Sequence, residues 1–347
     1  MALTVVTGAS GHVGANLVRE LLARGREVRA LVLETETPKS LRGLDIELRS
    51  GDIRDAEFVS ESLRGAEVVF HLAANISLMM NAWPLVESIN VGGPRHVVEA
   101  CLAHGVRRLI HFSSIHAHEQ EPLDSPVDEA RAYAHKAGTP PYDLSKAAGE
   151  RVVLDGIERG LDAVILNPTG ILGPHDYQPS HLGCGLLGLA AGRLPAKVDG
   201  GFNWVDVRDV VQAALAAEAS APTGGKYILS GEWVDMPGIA ARVERLTGVS
   251  APWFHCPRWL AMFSAPFATW FARITGTRPL YTTASLLALQ SNQHMSSARA
   301  QRDLGFSPRS FDESLEDTLR WYVDQGMLAQ PRKWREALEA PATRVTP

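Results

Sequence analysis

Tyr142 and Lys146 stand four residues apart, a spacing that on a helix puts both side chains on one face. A phenol with its ordinary pKa of about 10 is a poor acid or base at neutral pH, and a neighbouring ammonium favours the phenolate. Matching the phenol to working pH takes roughly 3 pKa units, about 4 kcal/mol of differential stabilisation, and Lys146 is placed to provide part of it. Ser114 closes the apolar run VRRLIHFSS (106–114), so its hydroxyl is placed to hydrogen-bond a substrate oxygen that gains or loses a proton. The bland alternatives are an exposed helical pair after Pro140-Pro141 and a strand-end serine serving local backbone. A Ser-His-Asp arrangement does not assemble, because no G-x-S-x-G elbow precedes a candidate histidine and acid. His111, His116 and His118 alternate around the strand end and read as polar lining or surface rather than ligands.

A second constellation lies near the N-terminus. TGASGHVG (7–14) follows the apolar run LTVVT (3–7) and places Gly8, Gly11 and Gly14 three residues apart. In a strand-to-helix link the first glycine allows a tight turn, the second lets backbone approach a pyrophosphate, and the third lets helix pack against strand. The phosphates then rest on free N–H groups at the helix N-terminus. A glycine triplet alone would also suit a turn that needs positive φ, but the strand before it and the amphipathic helix after it make a dinucleotide the expected ligand.

These groups need a scaffold. The runs LTVVT (3–7), EVRALVL (27–33), AEVVFHLA (66–73), VRRLIHFSS (106–114) and LDAVILN (161–167) alternate with longer helical patterns, the first of which spans Val13 to Ala23 and is closed by Arg24-Gly25. Alternation of this kind implies an α/β fold, a Rossmann-type doubly wound parallel sheet covered on both faces. After Asn167 the rhythm breaks into NPTGILGPHDYQPS (167–180) and shorter elements, ending in a helical pattern near Phe311 to Asp324. The expected organisation is a dinucleotide-binding core over 1–166 that carries Ser114, Tyr142 and Lys146. A smaller, irregular substrate-binding and lid region follows over 167–335, with some segments returning to the core, and then a flexible tail over 336–347.

Composition narrows the partners. A net charge of -5 with a pI near 6.2 argues against general attraction to nucleic acid or anionic membranes, leaving a small molecule as the expected partner. Cys101, Cys184 and Cys256 are odd in number and lack metal-ligand spacing, so they read as core thiols in a reducing compartment with no metal site. The N-terminal apolar run breaks at Gly8, too short for a signal peptide or a membrane span, and a cytoplasmic protein is expected. A homodimer is compatible with all of this.

The glycine spacing is GxxGxxG, and here the chain resembles the extended short-chain dehydrogenase/reductase (NAD-dependent epimerase/dehydratase) family, whose first loop reads TGxxGxxG. The resemblance continues through Gly51-Asp52-Ile53, His71-Leu72-Ala73-Ala74, Asn90-Val91-Gly92-Gly93, Ser113-Ser114, Tyr142 with Lys146, and NPTGILGP (167–174). It covers nearly the whole chain in the expected order. It implies a nicotinamide dinucleotide held by Gly8, Ser10, Gly11, His12, Val13 and Gly14 of the first loop. Glu34, Asp52, Ile53, Leu72, Ala73, Ala74, Asn90, Ser113, Tyr142, Lys146, Asn167 and Pro168 are implied as its further contacts. By the same resemblance Asp52 takes the adenine amino group and the backbone of Ile53 an adenine ring nitrogen, Ser113 lies nearer the cofactor, and Ser114 joins the Tyr142 and Lys146 pair. An acid at the end of the second strand suits the ribose 2′-hydroxyl of NAD, whereas an arginine suits the 2′-phosphate of NADP. The strand ends Leu33-Glu34, which favours NAD, while Lys39 and Arg42 lie within reach to bring positive charge back.

Relatives acting on nucleotide sugars carry RPxxxxGP and an arginine-aspartate pair before the segment matching VDVRDV. This chain has Asn167 and Gly201-Phe202-Asn203-Trp204 in those places, so no obvious diphosphate clamp remains. The Asn-Pro form, GPHDYQPS and GGFNWVDVRDV resemble the dihydroflavonol 4-reductase-like branch, neighbour of the 3β-hydroxysteroid dehydrogenases. The implied activity is NAD(P)-dependent interconversion of a ketone and a secondary alcohol on a fairly apolar small molecule. A nucleotide-sugar epimerase or dehydratase with retained NAD, and a non-catalytic dinucleotide-binding module, are the alternatives. Asn75, Asn81, Asp176 and Tyr177 are candidate pocket residues because they lie beyond matched strand ends or in the Pro/Gly loop. Trp259, Phe263, Phe267 and Trp270 recur at helical spacing. Such a face is ordinarily plain core, an apolar lid or membrane contact being the sharper readings, and the nearby prolines argue against a long interfacial helix.

Overall fold

The structure, a computed structural model, describes residues 2–35, 38–77, 79–275, 282–331 and 333–334; the tail expected over 336–347 lies outside them. Its first half runs β1 (Leu3–Thr7), α1 (His12–Ala23), β2 (Glu27–Val32), β3 (Glu47–Ser50), α2 (Ala56–Leu63), β4 (Val68–His71), α3 (Trp83–Glu87), α4 (Gly93–His104), β5 (Arg108–Phe112), α5 (Pro141–Glu158) and β6 (Ala163–Pro168). The second half continues with β7 (Gly170–Leu172), α6 (His181–Ala190), β8 (Lys197–Val198), β9 (Gly201–Asp206), α7 (Val207–Ser220), β10 (Lys226–Leu229), β11 (Glu232–Asp235), α8 (Met236–Thr247), β12 (His255–Cys256), α9 (Arg258–Thr275), α10 (Thr283–Ala288), α11 (Ala298–Leu304) and α12 (Phe311–Asp324).

Seven strands form one sheet in the order β10-β6-β5-β4-β1-β2-β3, every pair parallel. The central strands read as unbroken apolar runs because both sheet faces are covered: Val5 and Val6 are equally buried although they point to opposite sides. Val6, Phe70, Ile110 and Leu166 pack with α1 and α7 on one face, while Val5, Val69, Leu109 and Ile165 pack with α2, α4 and α5 on the other. The second half is not separate from this sheet, since β10 pairs with β6 and α7 covers a face. A second core, around Leu186, Trp204, Val234, Ile239, Phe311, Leu315 and Tyr322, holds α6, α8 and α12 against the small sheet β11-β9-β7.

Local chemistry sets the element ends. The αL glycine Gly105 closes α4, and the carboxylates of Asp206 and Asp235 cap α7 and α8. Cys101 is buried, but Cys184 and Cys256 are half-buried, so only the first is a core thiol; all three are free.

One expectation reverses here. The prolines do not prevent a long helix, because α9 runs for 18 residues with Pro266 inside it. Its Trp259, Phe263, Phe267 and Trp270 are 62–71% exposed rather than core. The face that packs is the small one, Ala261 and Ala265 against Val198, Leu286 and Leu289. No helix among the described residues is long and apolar enough to cross a membrane.

Candidate active site

A cavity of about 840 Å³ opens where the carboxyl ends of β1, β4, β5 and β6 face α6, α9 and α10. Its floor is the first loop. Gly8 has φ +64°, and a Cβ there would come within 2.8 Å of the Ala73 nitrogen; at Gly14 it would lie 2.3 Å from the Gly8 oxygen. Internal packing therefore demands both glycines. Gly11 differs, since a Cβ there would only touch the Gly8 oxygen at an ordinary 3.4 Å. No protein atom requires glycine at that point, which fits a position kept bare for a ligand. Gly11 also leads into α1 with no side-chain cap, so the first-turn N–H groups lack intrahelical acceptors and face the cavity. This cradle fits a pyrophosphate.

Neighbouring residues hold the cradle in place. Thr7 Oγ1 accepts from the amides of Leu72 (3.2 Å) and Ala73 (3.1 Å) and meets His71 Nδ1 at 2.7 Å. His12 Nε2 meets the carbonyl oxygens of Gly173 and Pro174 at 3.2 and 3.1 Å, and Asn16 donates to the Pro174 carbonyl at 2.9 Å, so the ring of His12 ties α1 to the loop after β7. Gly11→Ala is expected to leave the melting temperature nearly unchanged and weaken dinucleotide binding on the order of tenfold, read by calorimetric titration. Gly14→Ala should instead destabilise the fold itself.

On the adenine side, Asp52 is not the cap of α2. Asp55 takes that role, accepting from the amides of Glu57 and Phe58. Asp52 is held by Arg54, whose hydrogen bonds keep its carboxyl below the usual range. Ile53 packs against Gly93, and its carbonyl meets His96 Nδ1 at 3.1 Å. Glu34 is exposed beyond β2, and Ser40 donates to the Ser10 carbonyl at 3.0 Å, which brings the turn Lys39–Leu41 against the glycine loop.

Ser114, Tyr142 and Lys146 come together on the cavity wall, with Val13, Leu72, Ala74, Ser113 and Pro168 on the same lining. Ser114 follows β5 and caps a 3₁₀ turn, accepting from the His116 amide at 3.2 Å and keeping its O–H free to donate. Tyr142 and Lys146 lie one turn apart on α5, whose start is set by Pro141. Burial pushes Tyr142 up to about 12; the hydrogen bond with Ser114 pulls it down and the Asp143 carboxylate pushes it up. Burial also lowers Lys146 to about 8, against an upward pull from Glu150. The ammonium donates to the Phe112 carbonyl at 2.9 Å. With its amine directed at a backbone carbonyl, Lys146 is not among the groups that shift the Tyr142 phenol.

The histidines divide. His116 borders the cavity, its Nδ1 3.4 Å from Asp143 and its ring edge-on to Tyr142. His118 also borders it and meets the Arg131 carbonyl at 3.0 Å. His111 is neither lining nor surface but is buried beside His71, and burial drives both rings well below their ordinary pKa, so they are neutral. No group of metal-ligating side chains occurs among the described residues.

Behind the wall lies a polar network that sequence reasoning missed. Glu150 is fully buried one turn beyond Lys146; its Oε1 accepts from Asn167 at 2.5 Å and its Oε2 is 3.2 Å from Lys226. Asn167 also donates to the Ser114 carbonyl at 3.0 Å, and Lys226 to the Tyr133 hydroxyl at 2.8 Å. Asn167 thus stands behind Ser114 instead of lining the cavity. The available signal was the spacing Tyr142, Lys146, Glu150 on one helix face. Asn90 plays a similar part: its amide clamps both backbone groups of Asn75 (2.8 and 2.9 Å) and donates to Ser145 at 2.9 Å, fixing the exit of β4 to α5.

Of the pocket candidates, Asp176 reaches the cavity, but its carboxylate is buried and accepts from Tyr322, Ser180 Oγ and the Ser180 amide. Tyr177 packs edge-on against Trp321 and beneath Arg19, and Asn81 is exposed. Among the described residues the lining includes none of Asn75, Asn81 and Tyr177. It includes instead Leu182, Leu186, Leu189, Phe202, Trp204, Met236 and Ile239, which no sequence spacing marked.

Comparisons with known proteins agree with this geometry. The NAD dependent epimerase/dehydratase family matches residues 4–229. Sterol demethylase protein B of Methylococcus capsulatus is 35% identical over 330 residues, covering 94% of this chain and 99% of its own. A putative dihydroflavonol 4-reductase of Synechocystis is 31% identical, covering 92% and 94%. The crystal structure of gox2253 is 32% identical, with a TM-score of 0.81 over 94% of this chain and 100% of its own. The chain belongs to the NAD-dependent epimerase/dehydratase family, the extended short-chain dehydrogenase/reductases.

Proposed function

We propose that the chain is an NAD(P)-dependent oxidoreductase that interconverts a ketone and a secondary alcohol on an apolar, ring-bearing small molecule of the dihydroflavonol or 3-hydroxysteroid kind. The observation that carries this reading is a cavity in which Ser114, Tyr142 and Lys146 face a wall of Leu186, Leu189, Phe202, Trp204, Met236 and Ile239. Such a wall rewards an apolar body, and Ser114 and Tyr142 at one end orient a single oxygen. The names of the relatives, a sterol demethylase protein and a dihydroflavonol reductase, support the same substrate class. Asn167 turned toward Glu150 supports it over a nucleotide sugar, because a diphosphate needs a cation on the cavity side of that position.

The bound nicotinamide supplies or accepts the hydride. Gly8, Gly11, Val13 and Gly14 hold its pyrophosphate, Asp52 and Ile53 the adenine, and Lys146 a ribose hydroxyl. Glu34 favours NAD. Ser114 donates a hydrogen bond to the substrate oxygen, and Tyr142 exchanges the proton with it. Because burial holds the phenol protonated, Tyr142 is ready to act as an acid in ketone reduction and must first lose its proton to act as a base. Alcohol oxidation should therefore quicken as pH rises, whereas ketone reduction should stay level until the phenol itself titrates, in paired pH–rate profiles.

A panel assay tests the reading: absorbance of NADH and NADPH followed against aromatic ketones, steroids, aldehydes and sugar nucleotides. Turnover with a polycyclic ketone is the expected outcome. Tightly retained NAD, no net cofactor turnover and protection by a nucleotide sugar would replace it with the epimerase alternative.

A further inference from the structure

The side of α9 opposite Ala261 and Ala265 carries an apolar surface with no partner among the described residues. Trp259, Phe263, Phe267, Trp270 and Ile274 recur every three or four residues along it and are 62–71% exposed, and Trp253 just before it is 91% exposed. Soluble monomers rarely expose so continuous an apolar stripe. Charge sets this segment apart as well. Asp and Glu together make up 39 of the 347 residues, yet none lies anywhere in 245–302, where Arg258, Arg273 and Arg278 accompany the aromatics. Asp199, from outside the segment, is met by His255 at 2.8 Å. The overall negative charge of the chain is thus absent from this stretch of sequence, which is aromatic and cationic.

We propose that this patch docks on the surface of a phospholipid bilayer bearing anionic headgroups. Tryptophan and phenylalanine favour the headgroup boundary, the exposed Arg258 beside Trp259 favours anionic lipid, and a helix of 18 residues with Pro266 inside is suited to lie along the surface. A repeated copy of the chain is a poorer occupant, because the patch would set arginine against arginine across a two-fold axis. The placement has a consequence for entry. Arg258 at the start of α9, together with Leu287 and Gln290 after it, lines the cavity, so docking would set one end of α9, and with it one edge of the cavity, beside the bilayer.

The test is sedimentation of the full chain with vesicles of phosphatidylcholine alone and of phosphatidylcholine mixed with phosphatidylglycerol. It needs no turnover, so its result stands apart from that of the reaction assignment. Binding to the anionic vesicles that weakens with salt is expected, and the triple variant Trp259→Ser, Phe263→Ser, Trp270→Ser should lose it by about tenfold or more. Brominated acyl chains should quench the tryptophan fluorescence of the unmodified protein, a readout that no variant's folding can disturb. Absence of wild-type binding, undiminished binding by the triple variant, or no quenching would overturn the proposal. A wild-type dimer that the triple variant converts to monomer, with no vesicle binding, would overturn it in favour of a second copy.

Discussion

Tyr142→Phe should lower turnover on the order of 10²- to 10⁴-fold while dinucleotide affinity stays within about twofold. The substitution keeps the ring, its edge contact with His116 and its place on α5, and deletes only the hydroxyl that Ser114 bonds. The proton then has no route between the substrate oxygen and the protein, whereas the glycine loop, α1 and Asp52 are untouched. Steady-state kinetics and fluorescence titration of the dinucleotide separate the two effects. A non-catalytic dinucleotide-binding module would show no functional loss at all.

Lys226→Met should destabilise the chain by about 3–5 kcal/mol, since it leaves the carboxylate of Glu150 buried without its cation. Glu150→Gln added to it should recover most of the loss, because a neutral amide can still accept from Asn167 without a charge to compensate. The four denaturant midpoints of this double-mutant cycle measure the coupling. Activity should follow a different order: Glu150→Gln alone loosens the Asn167 bridge to the Ser114 carbonyl and lowers kcat more than it lowers stability.

How far these groups could be seen beforehand depended on the range of the interaction. The strands, the glycine loop and the Tyr142–Lys146 pair were legible because each is written in adjacent residues: an apolar run, a turn signal, a one-turn spacing. Glu150 and Lys226 were not, because they meet only when β10 takes its place beside β6, a pairing no local pattern specifies. Asn167 was visible as a motif position, but the side to which its amide turns is set by Glu150. The stripe on α9 was legible as a face and misread as core. Periodicity tells that one side is apolar but not which side packs, and here Ala261 and Ala265 let α10 approach closely while the large rings stay outside. The apolar cavity wall was hidden for the same reason as Lys226, since α6, β9 and α8 contribute to it from separated stretches.

The central claim is that a hydride leaves or reaches a carbinol carbon on an apolar molecule beside Tyr142. Incubation with a cyclic secondary alcohol carrying deuterium on that carbon, with the nicotinamide recovered and examined by mass spectrometry, tests it most directly. The account predicts one deuterium in the reduced nicotinamide for each ketone formed. Deuterium returned to the same molecule with no ketone released, or no transfer from any alcohol that fits the cavity, would contradict it.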